Sequence, residues 1–324
     1  MSLDPDLQRL LQAMPTEFTV PVDWVAARAA AKAVEPMLAG PRGPAPVHAV
    51  RSRRIDGAGG PLELRVYYPA GAPAMTVIHF HGGGWTLGDL DTCDHTVRKM
   101  CNGLDAIVVS CTYRKAPEHP FPAAFDDALA QTRWVLAHVA ELGGDPQRVV
   151  IAGDSAGGNL ITAVTIALRD QGRRDMAALS QPLPSLRAQL VMYPGVDVRP
   201  SARQTASFYD DLDPSLPVAA IAECIAAYVQ NGEVDDWRAS PLAADDLSLL
   251  PPALVVVLTV DPLRDQGVAY AARLRQAGVP CELLEFPHLT HGFMHIAELV
   301  PAAARAFDQV LERFEQFAGL GARP

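Results

Sequence analysis

Short runs of apolar, largely β-branched residues alternate with longer stretches of helical period through most of the chain. The runs predict strands near residues 64–68, 75–80, 106–111, 149–152, 188–193, 253–259 and 281–286, with a first strand near 47–55. Helical patterns occupy 123–142, 156–170, 265–277 and 302–317. The later strand runs are almost wholly apolar, as strands covered on both faces must be. This alternation predicts an α/β fold: a mostly parallel eight-stranded sheet flanked by helices.

Two segments break the alternation. Residues 1–45 are Ala-rich and helical, with Pro15, Pro21 and Pro36 expected to interrupt them. Residues 197–245 are polar and acidic, with a helix expected over 218–229, and they fall between two sheet strands. Neither is flanked by a Gly/Ser linker. Both are therefore expected to pack on the sheet as a helical cap, because ligand sites in open α/β sheets lie beyond the carboxyl ends of the strands. The expected division is a cap segment at 1–45, a catalytic domain at 46–196 and 246–324, and a cap insertion at 197–245.

Composition narrows the classes. With 324 residues, 49% of them hydrophobic and 20% charged, the chain is too apolar for a disordered protein and has enough core for a large domain. The longest apolar strings fall far short of the roughly 18 to 20 residues that span a bilayer, so no membrane partner is expected. A formal charge of -10 opposes nucleic acid as well. The start of the chain shows no basic region followed by an apolar block. Five scattered cysteines, Cys93, Cys101, Cys111, Cys224 and Cys281, lack metal spacing and are expected to be free thiols. A cytoplasmic location is the corresponding expectation.

The first chemical signal is Gly153-Asp154-Ser155-Ala156-Gly157, a G-x-S-x-G pentapeptide. By composition alone about 0.1 such matches would arise in a chain this long. Its setting makes it specific, since a strand run leads straight into it and a helical stretch straight out. A nucleophile elbow has this form: a tight turn holds the serine in a strained conformation at the positive end of a helix. Glycine at 153 and 157 suits the close packing such a turn requires.

A serine hydroxyl needs a base to take its proton, and the base needs a carboxylate. In chain order acid then histidine should follow the serine. Asp261 stands at the end of the 253–259 strand, and His291 in the loop after 281–286, so all three would project from one sheet edge. Asp265, His288 and His295 are the competitors, read as surface or capping groups. His81-Gly82-Gly83-Gly84-Trp85 follows the strand at 75–80. Its glycines let successive N–H groups converge. The amides of Gly83, Gly84 and Ala156 are the expected donors to an oxyanion, where losing one costs roughly 3 to 4 kcal/mol. His81 is read as an anchor for this loop. The pairs His79/His81 and His291/His295 lack a zinc pattern, and neither metal nor cofactor is expected.

With these residues in hand, the chain resembles the hormone-sensitive-lipase-like esterases of the α/β-hydrolase superfamily. The resemblance rests on HGGGW (81–85), YRKAPEHPFPAAFDD (113–127), GDSAGGNL (153–160), DPLRDQ (261–266) and HGF (291–293), and covers about residues 45–318. It implies an α/β-hydrolase fold with a helical cap and a cofactor-free carboxylesterase using Ser155, Asp261 and His291. Members similar to this chain carry Glu where it has Gln266 and an apolar residue where it has Lys115. Trp85 and Asp154, beside the two motifs, are expected to contact substrate. Cap aromatics Phe208 and Tyr209, with Met14, Phe18 and Trp24, are expected to roof a pocket for a small-molecule ester of short to medium acyl chain. The same triad could cleave amides, and plant hormone receptors that resemble this family lack the working histidine, which is present here. An edge strand at 281–286 and a final helix raise the expectation of a homodimer.

Overall fold

The computed structural model describes residues 3–13, 20–175 and 185–319. Its strands are β1 (Ala49–Gly57), β2 (Gly60–Tyr68), β3 (Met75–Phe80), β4 (Ala106–Cys111), β5 (Val149–Asp154), β6 (Gln189–Met192), β7 (Ala253–Leu258) and β8 (Cys281–Phe286). The helices are α1 (Pro5–Ala13), α2 (Trp24–Leu38), α3 (Asp94–Gly103), α4 (Ala123–His138), α5 (Ala156–Asp175), α6 (Ala206–Asp210), α7 (Val218–Tyr228), α8 (Arg264–Gln276) and α9 (Pro301–Ala318). All eight strands join one sheet in the order β1-β2-β4-β3-β5-β6-β7-β8. β2 pairs antiparallel with β1 and β4, and every later pairing is parallel.

The all-apolar strands are explained by two cores, one on each face. In β7, Ala253, Val255 and Val257 enter one core while Leu254, Val256 and Leu258 enter the other, because successive side chains point to opposite faces. The first core receives α4, α5 and α8, together with Ile221, Ile225 and Tyr228 of α7. The second receives α3 and α9, and Leu7 of α1.

The differences from expectation are local. α3 has no clean apolar stripe, since His95 and Thr96 share its buried face with Val97, Met100 and Cys101; its periodicity is blurred and the sequence did not announce it. β2 starts earlier than the apolar run because its first residues pair with β1 alone. Pro61 is opposite Asp56 there, beyond the stretch Leu64–Tyr67 that meets β4, so its missing N–H costs little. Pro36 does not interrupt α2, which runs through it to Leu38. Pro15 lies outside the described residues. Among the described residues no helix is long and apolar enough to cross a membrane.

α9 shows how the second core holds the sheet. Its apolar positions Ala303, Ala306, Phe307, Val310, Leu311 and Phe314 recur at three- and four-residue spacing and are buried. Phe314→Ala is expected to destabilise the protein by about 3 to 5 kcal/mol, read as a shift in the urea midpoint with unchanged slope. A shift below about 1 kcal/mol would contradict this packing.

Candidate active site

β5 ends at Asp154 and α5 begins at Ala156, leaving Ser155 alone to make the turn. Its φ is +53°, a left-handed conformation that costs a non-glycine residue about 1 to 2 kcal/mol. Backbone hydrogen bonds on both sides impose it. Ser155 N–H donates to Met192 O at 2.9 Å, and Ser155 O accepts from Asn159 N–H at 3.1 Å and Gly195 N–H at 3.3 Å. Gly157 lets α5 start this close to the sheet: a methyl there would lie 2.0 Å from Phe80 O and 2.6 Å from His81 O. Both are backbone atoms and cannot swing aside.

Asp261 and His291 come together. Asp261 is wholly buried, and its Oδ2 lies 2.7 Å from His291 Nδ1 while its Oδ1 accepts from Leu263 N–H at 2.8 Å. The imidazole stands edge-on to Tyr193, centroids 4.8 Å apart, and Phe293 beyond it is buried against Tyr193 and Phe307. Burial alone would push the His291 pKa down. The Asp261 charge and hydrogen bond, with the charges of Asp213 and Asp154, outweigh it and lift the value above that of an ordinary histidine. The competitors have other partners. Asp265 accepts from Ser207 N–H at 3.0 Å, exposed His288 lends its carbonyl to Asp4 N–H, and His295 lies 3.3 Å from Asp154 and 3.2 Å from Thr96.

The glycine loop leaves β3 beside the elbow, because Phe80 and Gly153 are register partners. Asp154, also buried, ties the two together by accepting from Gly82 N–H at 3.0 Å with Oδ1, while Oδ2 meets His295 Nε2. Burial opposes this charge, but the His295 hydrogen bond and nearby histidines hold the carboxyl below the usual range. His81 is pushed down to about 4, chiefly by burial and then by the charge of Lys115. It is therefore neutral, and because a carbonyl can only accept, its Nδ1–H donates to Gly82 O at 2.7 Å. Stacked on Tyr113 with centroids 4.6 Å apart, it anchors the loop. Gly83 and Gly84 have φ of +113° and +58°. Among the described residues nothing accepts from their N–H groups, and Ala156, first in its helix, has no acceptor one turn earlier.

Ser155, His291, Gly83, Gly84, Ala156, Trp85 and Asp154 all line one cavity of about 700 Å³. Its roof comes from α2, through Trp24, Ala27, Ala31 and Val34, and from α7, through Ile221, Cys224 and Ile225. Phe208 and Tyr209, expected to contact substrate, do not line it. Ser207 bonds to Pro262 O and Asp265 at the start of α8, which seats α6 there; Phe208 packs on the first core and Tyr209 is 72% exposed. Met14 and Phe18 lie outside the described residues. Trp85 borders the cavity but spends its ring face on Tyr228, 4.4 Å away and parallel within 1°.

Sequence reasoning missed the roles of Asp213 and Arg28 and left the partner of Gln266 open. Asp213, part of the polar and acidic segment 197–245, is buried and accepts from His291 N–H at 2.6 Å. Its signal was local: Asp-Pro-Ser closes a turn in which Ser215 N–H and Oγ–H donate to Asp213 Oδ1 at 2.8 and 2.6 Å. Gln266 accepts from Asp197 N–H at 2.9 Å, so its hydrogen bond goes there and not to Asp261. Arg28 of α2 bonds to Thr86 O and Ala116 O, both at 2.7 Å, and forks onto Glu118 at 2.8 and 2.7 Å. Nothing in the structure explains the lysine at 115.

Comparison with known proteins places the chain in a family. Residues 77–295 match a family described as alpha/beta hydrolase fold. The chain is 39% identical over 319 residues to Esterase LipI of Mycobacterium tuberculosis, covering 96% of this chain and 93% of that one. It is 39% identical over 315 residues to Carboxylesterase NlhH of the same organism, covering 94% and 92%. The solved hyperthermophilic esterase from the archaeon Pyrobaculum calidifontis superposes with a TM-score of 0.89 at 34% identity, covering 98% and 99%. The chain belongs to the hormone-sensitive-lipase-like family of the α/β-hydrolase fold, a family of carboxylic ester hydrolases.

Gly157→Ala is expected to cost more than about 4 kcal/mol, since its methyl meets fixed carbonyls, and to lower the melting temperature sharply. A melting curve matching the unsubstituted protein would contradict the close approach.

Proposed function

We propose that the protein hydrolyses carboxylic esters of short to medium acyl chain through a covalent acyl-Ser155 intermediate. One observation carries the reading: the Asp261–His291 pair, 2.7 Å apart, opens onto the same cavity as a strained serine and three amides without acceptors. His291 Nε2 takes the Ser155 proton as Oγ attacks the ester carbonyl. The N–H groups of Gly83, Gly84 and Ala156 receive the developing oxyanion in a fixed, water-poor setting. His291 then gives the proton to the departing alkoxide, and the same histidine draws a proton from water to release the acid. Asp261 keeps the Nδ1–H tautomer and stabilises the imidazolium. Residues of α2 and α7 act as a cap whose apolar side chains close the cavity over a short chain. A volume near 700 Å³ suits a small ester.

Ser155→Ala or His291→Ala is expected to lower kcat on p-nitrophenyl butyrate roughly 10,000- to 1,000,000-fold with an unchanged circular dichroism spectrum. A fluorophosphonate should label Ser155 and no other serine, as located by mass spectrometry. Near-normal turnover by folded Ser155→Ala, or a rate that rises steadily toward long acyl chains, would refute the corresponding part.

The pH profile follows from the His291 shift. The base must be neutral, so kcat/KM should fall toward acid with a midpoint above the ordinary histidine value of about 6.5. Asp213→Asn removes one negative charge facing the imidazole and keeps an acceptor for His291 N–H. Its acid limb should move to lower pH. An unmoved or raised midpoint would show that Asp213 does not act on the imidazole.

A further inference from the structure

We propose that Gln266 is a substrate-binding residue, and that its side-chain amide selects esters bearing a neutral oxygen, ether or ketone, along the chain held in the cavity. The inference rests on the esterase reading above and names a substrate class within it. Gln266 stands in the first turn of α8, is only 4% exposed and lines the cavity. Its orientation follows from chemistry. Asp197 N–H can only donate, so the atom facing it at 2.9 Å is Oε1, and Nε2 is on the other side. Among the described residues Nε2 has no acceptor, yet it is not sealed in the interior either. The residue lines the cavity and its Nε2 keeps some surface, so the amide is placed to donate to whatever lies there.

The place of the amide follows from the chain. Gly195 N–H donates to Ser155 O, and two residues on Asp197 holds Gln266. Two residues span at most about 7 Å. The amide therefore lies on the same cavity wall as the Ser155 turn, and the oxygen scan below locates it along the substrate chain. The preferred acceptor is neutral because Asp197 lines the same wall while its counterion Arg199, bonded at 2.7 and 2.8 Å, does not. A substrate carboxylate would face that carboxylate.

The test is an oxygen scan. p-Nitrophenyl hexanoate is compared with isosteric esters in which an ether oxygen replaces, one at a time, each chain methylene beyond the α carbon, and butyl butyrate with its alkoxyalkyl counterparts. All rates are divided by those with hydroxide. Wild type should show a peak in kcat/KM at one oxygen position, roughly three- to tenfold above the all-carbon ester. Gln266→Leu should erase the peak, and so should Gln266→Glu, which keeps an acceptor for Asp197 N–H but has no donor when ionised. A flat scan on both acyl and alcohol sides, or a peak that survives both substitutions, overturns the proposal. So does an equal loss on every ester, which marks a purely structural role. If the variants fail to fold, the wild-type scan still decides between a peak and none. A wild-type protein that cleaves none of these esters would instead sink the esterase reading, and this inference with it.

Discussion

Asp154 is buried at the end of β5, and its two oxygens reach in different directions. One takes Gly82 N–H from the loop after β3, and the other meets His295 from the loop after β8. A buried carboxylate must find such donors or give up its charge. Here the donors belong to segments far apart in sequence, so satisfying one charge also brings the Ser155 turn, the glycine loop and the histidine loop to one edge of the sheet. The register of Phe80 against Gly153 supplies the parallel alignment that makes the reach short. Gly157 then lets α5 close down on the carbonyls of Phe80 and His81. Removing either constraint would leave the other residues intact but scattered.

The histidine loop is held less by its own sequence than by what surrounds it. Asp213 takes its amide, and the stack of Tyr193, Phe293 and Phe307 fills the space beneath. Stability and chemistry therefore share residues. The second core that buries α9 against the sheet is also the floor on which His291 stands.

The strands were legible because their burial on both faces turns them into unbroken apolar runs, and the elbow was legible because a strand and a helix leave room for only one residue between them. The meeting of Asp261 and His291 was foreshadowed by their places at strand ends. What escaped was everything decided by tertiary partners. α3 hides polar side chains on its inner face, so its period was faint. Phe208 and Tyr209 looked like roof residues because they are aromatic, yet Ser207 steers α6 toward α8 and leaves the roof to α2 and α7. Asp213 differs from Asp210 and Asp211 only in what it meets, and no local pattern apart from its turn sets it apart.

Arg28 belongs to a helix that roofs the cavity, but its bonds end on the backbone at Thr86, two residues after Gly84, and on Ala116 and Glu118. The covering helix and the amides beneath it are thus one mechanical unit, although some sixty residues of chain separate them. A displacement of the roof helix would be transmitted through the guanidinium to the segment that follows Gly83 and Gly84.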